Sequence, residues 1–335
     1  MPGVLDIFNG NAFGMVSLTR SILVLPYVPA RLGALGLFTD VGIETRTAMI
    51  EKKTGGLQLV TSKPWGGTPD EIGKTDQTAL PIPIPHMPLH GRVDASEVQG
   101  VRAFGSATET ESVVNKVNEK LGRMRQSHEL TEEWLRWGAI KGIVLDGNGT
   151  TTLCNLFTTF GIGAPADVDF LLGTDTTPIA GLATSVKRVI EAALNMQPYT
   201  YIHAMCSPQF FDELKAHPAV AWSMMWVNQN EFARNDQRRG FYWQGILWEE
   251  VVGSVGGTPL LAPRSCRFFP VGVPDLFLTA MAPANFIESA NTTGQKIYAK
   301  QAIEKFETGV ELLTQSNVLP FCTNPGVLVK GVTSN

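Results

Sequence analysis

Mostly apolar positions recur at alternating spacings of three and four: Val114, Val117, Leu121, Met124, His128, Thr131, Leu135 and Gly138. That spacing lays one mostly apolar stripe along one face of a helix. Ser106 followed three residues later by Glu109 has the form of a capping box, with Thr108 and Thr110 as weaker starts. No proline interrupts the run before Pro165. The pattern therefore predicts a helix within the stretch 106–145, roughly 35 residues and about 50 Å long at 1.5 Å per residue. Its other face carries Glu109, Glu111, Lys116, Glu119, Lys120, Arg123, Glu129, Glu132, Glu133 and Arg136. This is expected to be a solvated or intersubunit face, in which a pair such as Glu119 with Arg123 adds a few tenths of a kcal/mol. Gly122, Gly138, Gly142, Trp134 and Trp137 interrupt any regular coiled-coil seam. The helix reads as the spine of an extended scaffold, lying on a sheet or on other chains.

Residues 1–40 are rich in apolar side chains, but Pro26 and Pro29 break the run Ile22–Val28 and helical periodicity is poor. Such an arm has no core of its own and must lie along the spine helix or across a neighbouring chain. Alternation predicts a hairpin next, Glu44–Lys53 against Leu57–Lys63 around Gly55-Gly56. The chain returns through Thr78–His86, where prolines at alternate positions rule out a central strand. This long loop is expected to be ordered by a partner subunit. Beyond the spine, Asp146–Gly149 predicts a turn and Thr150–Phe160 a short strand or helix. Helices follow from Thr177-Pro178 and from Ser207-Pro208, with a short helix or turn over Pro218–Val227. Strands are predicted over Tyr199–Met205 and Phe241–Val252, so this stretch reads as an α/β lobe. The last third leans to strand: Cys266–Val271, Leu276–Met281, Gln295–Phe306, Val310–Val318 and Val327–Val332. These strands need the spine helix to cover their apolar face.

Composition sharpens this picture. At 335 residues the chain exceeds what one hydrophobic core serves. Charged residues make up only 17%, against about a quarter in ordinary soluble domains. Much of the surface must then carry Gly, Thr, Asn, Pro and aromatics, as in a chain buried against copies of itself. A net charge of −4 gives no global basic field that would call for nucleic acid. Cys154, Cys206, Cys266 and Cys322 lie far apart without metal-ligand spacing, and read as core thiols in a reducing compartment. The N-terminus lacks the pattern of a secretory signal, and the longest apolar runs are too short to span a bilayer.

Candidate chemistry is sparse. Gly73-Lys74-Thr75 resembles the end of a phosphate-binding loop, but Thr68 stands where that loop needs glycine. His86 and His90 have metal-sharing spacing on a helix, which Pro88 forbids. Arg234, Arg238 and Arg239 beside Phe241, Tyr242 and Trp243 form the densest basic patch. It fits a salt-bridged loop better than a nucleic-acid contact. No catalytic, cofactor-binding or metal-binding constellation stands out, and the expectation is a protein that is not an enzyme.

The order of arm, long loop, spine helix, α/β lobe and returning strands resembles the major capsid proteins of tailed bacteriophages. The resemblance becomes specific in Pro29-Ala30-Arg31-Leu32-Gly33-Ala34-Leu35-Gly36-Leu37-Phe38 and in Glu97-Val98-Gln99-Gly100-Val101-Arg102-Ala103-Phe104-Gly105. It continues in Gly138-Ala139-Ile140-Lys141-Gly142 with Asp146-Gly147, and in Phe268-Phe269-Pro270-Val271-Gly272. Together these are similar to the capsid protein E family, the lambda-type major head protein. The resemblance implies an α+β capsid fold. Its N-terminal arm is expected at 1–40, an extended β-hairpin loop at 41–105, a peripheral domain with the spine at 106–175 and 266–335, and an α/β axial domain at 176–265. It implies hexamers and pentamers of an icosahedral phage head around packaged double-stranded DNA, with an encapsulin-like cargo shell as the alternative. It further implies contacts with copies of itself, a portal and a separate scaffolding protein, leaves room for a decoration protein, and gives packaged DNA only weak non-specific contact. No cofactor or membrane is implied; the subunit belongs to the virion and is assembled in the host cytoplasm. The side chains expected to meet neighbouring subunits are Phe38, Ile50, Leu57, Leu59, Trp65, Ile82, Ile84, Arg102, Phe104, Arg123, Arg238 and Arg239.

Overall fold

A computed structural model describes residues 31–54, 76–97, 113–227, 236–255, 257–305 and 308–334, together with Thr19 and Ile22. The fold is α+β. The helices within those stretches are α1 (Arg31–Ala34), α2 (Val113–Lys141), α3 (Leu156–Phe160), α4 (Ile179–Leu194), α5 (Pro208–Ala216) and α6 (Pro218–Val227).

Helix α2 is the predicted spine. Its expected capping residues, Ser106 and Glu109, lie outside the described residues. It stops at Lys141, short of Leu145, because Gly142 turns left-handed (φ +82°) and a Cβ there would sit 2.2 Å from the Phe157 ring. Ile143–Leu145 is instead a strand, paired with Thr152–Asn155 across the expected turn. The stretch Thr150–Phe160 turns out to be both of its expected forms. Asn155 ends the strand and caps α3, its side chain accepting from the backbone N–H of Phe157 (3.1 Å) and Thr158 (3.4 Å).

The largest sheet has six strands in the order Val168–Asp169, Val329–Val332, Ser265–Val271, Tyr201–Cys206, Ile246–Glu250, Phe241–Trp243. Side chains alternate across it. One face presents Trp248 and Phe268, which meet Phe210 of α5 and Phe170 (ring centroids 6.5 Å for Phe210–Trp248, 5.8 Å for Phe170–Phe268). The other presents His203, Phe269 and Glu249; Phe269 meets Phe277, which in turn meets Phe38. The expected boundary between residues 265 and 266 therefore runs through this sheet. Three strands assigned by sequence wholly or mostly to the spine-bearing domain, Val168–Asp169, Ser265–Val271 and Val329–Val332, are hydrogen-bonded into the sheet of the α/β lobe.

Two three-stranded sheets complete the frame. Thr39–Gly42, Phe277–Met281 and Val318–Cys322 form one. Tyr298–Ile303, Gly309–Ser316 and Met87–Asp94 form the other. The N-terminal half of α2 closes a small core on the second of these, with Val117, Leu121 and Met124 against Val93, Ile297, Val310 and Leu312. Its C-terminal half, with Leu135, Trp137 and Ile140, enters the main core that contains the six-stranded sheet. One helix thus bridges two cores. Of the arm, Ile22 is fully buried in the small core, and the Thr19 hydroxyl accepts from the Ala299 backbone N–H at 3.2 Å. At these two residues the arm lies on its own chain.

Candidate subunit interface

The long loop leaves the body as a two-stranded antiparallel ribbon, Thr47–Thr54 against Asp76–Pro83. The expected partner strand at 57–63 lies outside the described residues; the partner seen is the returning chain. Pro81 and Pro83 are two positions apart, so both nitrogens face the same edge, away from the ladder. Alternation also sorts the ribbon's faces. Ala48 pairs with Ile82 and Ile50 with Leu80 on the side packed against the main core, while Met49, opposite Pro81, is 61% exposed.

This corrects the expected contact residues. Ile82 is fully buried in its own chain's core and has no surface left for a neighbour. Ile50, Ile84 and Phe38 are half-buried and pack on that same core. Phe38 also lies under the Arg136 guanidinium, 5.7 Å from the ring centroid. Leu57, Leu59, Trp65, Arg102 and Phe104 lie outside the described residues. Arg123, Arg238 and Arg239 are exposed.

The charged face of α2 is likewise not uniformly solvated. Glu132, Glu133 and Arg136 are buried, as is Arg125. Arg136 bonds Glu132 at 2.5 Å, and Lys296 approaches the same carboxylate at 2.8 Å. Glu133 accepts from the backbone N–H of Leu32 (2.7 Å) and Gly33 (3.1 Å) at the start of α1. Burial pushes the Glu133 carboxyl above its ordinary range, partly opposed by those two N–H groups. The far side of α1 is held by a second buried acid, Glu249 of the six-stranded sheet, which bonds both Arg31 and His203 (3.0 Å to the latter). Burial works to raise the Glu249 carboxyl, but His203 and Arg31 outweigh it and hold it low. The arm's last helical turn is therefore clamped between the spine and the lobe by two carboxylates. Lys141 at the end of α2 is pulled down to about 8, by burial and then by Arg267.

Beside this joint, Arg31, Asp236, Arg238, Arg239, Glu249, Glu250 and Val252 line an open cleft of about 570 Å³. Asp236 caps the turn Gln237–Arg239 and grips the Arg238 guanidinium at 2.7 Å, a salt-bridged loop as expected. Further large apolar side chains stand in solvent, with Met196 98%, Ile287 95%, Val252 74% and Tyr242 67% exposed. Of these, sequence reasoning singled out only Tyr242, beside the basic patch. Met49 was findable from strand alternation, whereas nothing in local pattern marks Ile287. His86 bonds Asn317 at 2.9 Å and His90 sits on a strand, so their helical spacing has no meaning here. Among the described residues no three His, Cys, Asp or Glu side chains converge as metal ligands, and no helix is long and apolar enough to cross a membrane.

The described chain thus has two hydrophobic cores joined by one helix, a two-stranded ribbon packed on the larger core, and exposed apolar side chains. The phage major capsid protein E family matches residues 14–333. The chain belongs to that family. Within it, the chain is similar to the major capsid protein of Pseudomonas phage KPP10, 27% identical over 349 residues, with 96% of this chain and 97% of that one covered. The major capsid protein of Salmonella phage Felix O1 is 23% identical, over 95% and 96% of the two chains. Among solved structures, a crystal structure described as a prophage capsid protein of E. coli CFT073 shares 14% identity. It superposes with a TM-score of 0.61, covering 96% of this chain and 99% of that one. The capsid of a native GTA particle gives 0.51 at 9% identity, over 93% of each chain. At these identities the structural likeness shows the fold alone.

Proposed function

We propose that this chain is the repeating subunit of a phage head shell, assembling as hexamers and pentamers into an icosahedral procapsid that receives double-stranded DNA. The end-to-end match to the capsid E family carries the reading. The role is structural, not enzymatic, and its place is the virion, after assembly in the host cytoplasm. In this reading 1–40 is the arm and 41–105 the extended loop. The spine with the sheet containing Gly309–Ser316 forms the peripheral domain. The axial domain is 176–265, joined by the two later strands that share its sheet. A separate scaffolding protein directs curvature, a portal occupies one vertex, and decoration proteins have the exterior open to them. The net charge of −4 leaves packaged DNA only weakly held.

Negative-stain microscopy and light scattering of the purified chain test this. Closed shells or five- and six-membered rings are expected, with or without added scaffolding protein. A monodisperse monomer that stays monomeric when scaffolding protein is added would sink the reading. Replacing residues 55–75 by Asn-Gly, which closes the ribbon with a tight turn, should leave a folded subunit that forms no shells. Normal shells from that variant would remove the loop from the interface.

A further inference from the structure

Cys206 and Cys266 stand directly opposite each other on adjacent antiparallel strands of the six-stranded sheet, their sulfurs 3.2 Å apart and both residues fully buried. The hydrogen-bond pattern around them settles the kind of site they occupy. The Ser207 N–H bonds the Ser265 carbonyl, so the next pair along is the bonded one. The Cys206 carbonyl accepts from Val251 on the other side, away from Cys266. The two cysteines are thus a non-hydrogen-bonded pair, in which facing Cα atoms lie about 4.5 Å apart and side chains approach most closely. Disulfides need Cα atoms about 4.4–6.8 Å apart with Cβ atoms close together. A facing pair of this kind falls within that range. On the outer flank of Cys266 the facing residue is Gly331, which has no side chain to compete for the space.

We propose that Cys206 and Cys266 form a disulfide site, bonding strand Tyr201–Cys206 to strand Ser265–Val271 when the subunit folds in the presence of a low-molecular-weight disulfide such as oxidised glutathione. One cysteine, as thiolate, attacks the glutathione disulfide and releases one glutathione thiol, leaving a mixed disulfide. The second cysteine, as thiolate, attacks the protein-side sulfur and releases the other glutathione. Two protons leave the cysteines, and two electrons pass to the glutathione, so a new S–S bond replaces the old one. In the closed subunit, burial and the neighbouring sulfur hold the Cys206 thiol protonated, so the exchange belongs to the open or folding chain. The bond closes a loop between positions 60 apart, which contains α5, α6 and the two sheet strands that follow them. Cys154 and Cys322 do not share this geometry: they bond Thr159 and the Asn324 carbonyl.

The test refolds the full chain from reduced, denatured protein in a glutathione redox buffer, then denatures it with an alkylating agent and maps the peptides by mass spectrometry. The expected result is a linked pair of peptides carrying Cys206 and Cys266, two hydrogens lighter than the reduced pair, with Cys154 and Cys322 alkylated. Oxidised protein should melt about 5 °C or more above reduced protein, and Cys206→Ala and Cys266→Ala variants should show no redox-dependent shift. Alkylation of all four cysteines after oxidative refolding would overturn the proposal, as would linkage through Cys154 or Cys322. The mass readout needs no variant to fold and does not depend on shell assembly.

Discussion

The two halves of the spine helix carry the same kinds of residues to opposite ends. In the N-terminal half the stripe of Val117, Leu121 and Met124 is buried, while Lys116, Glu119 and Arg123 pair with one another at the surface. In the C-terminal half every residue from Glu132 to Ile140 is buried, charges included. An ion pair in water contributes little, because solvent screens it and two long side chains must be held still. An acid and a base removed from water cost several kcal/mol each to desolvate and stand only with good geometry and further hydrogen bonds. Glu132 meets that condition through Arg136 and Lys296, and Glu133 through the N–H groups of α1. The surface pairs of the N-terminal half tolerate change; the buried C-terminal half is a joint between arm, spine and lobe.

The harshest test of the helix as one rigid element is Leu121→Pro, which removes a backbone bond and forces a kink within the small core. It should cost about 3 kcal/mol or more and abolish soluble expression; soluble, assembling Leu121→Pro protein would remove the spine reading. Next, Arg136→Ala leaves the Glu132 carboxylate buried with only Lys296, and should lower unfolding free energy by about 3–5 kcal/mol in a urea titration. A loss as small as that of a surface pair would erase the contrast between the halves.

His128 lies where the two halves meet, its Nε2 bonded to the Thr314 hydroxyl at 2.9 Å. Burial lowers it from 6.5 to about 4, so the folded chain holds it neutral over a range where the unfolded chain protonates it. Its contribution to stability is intact above pH 6.5 and is lost as pH falls towards 4, by about 3 kcal/mol at most. Melting curves of His128→Gln should be flatter over that range than those of the parent. An equal acid slope in both would place the titration elsewhere. The smallest effect is expected of Arg123→Ala. Its partner Glu119 is held below the ordinary carboxylate range by Lys116 first, with Arg123 contributing less. Its urea-unfolding midpoint should be indistinguishable from the parent's, because solvent screens the exposed pair, while shell yield reports whether Arg123 touches a neighbour.

Much of the fold was legible because its signals are local. The spine, the helices at Ile179–Leu194 and Pro208–Ala216, and the late strands all follow from periodicity and start signals read within a few residues. What failed was pairing. The strand at Thr47–Thr54 was matched with the nearest candidate across Gly55-Gly56, whereas its described partner begins at Asp76. Ser207 was identified as an N-cap, but its hydroxyl accepts from Ser265 N–H in the neighbouring strand instead of capping its own helix. Least legible was which side chains of the ribbon stay exposed, since Ile82 and Met49 are both large and apolar and differ in which way the ribbon lies on the core.

The sequence by itself determined the elements, their order and the family, since side-chain periodicity and backbone preference act over one or two turns of chain. Only the tertiary structure decided which elements share a sheet, which charges on the spine are buried, and that Cys206 faces Cys266 across positions 60 apart. Those outcomes depend on register and desolvation between distant segments, and no local pattern encodes the partner that brings a group out of water.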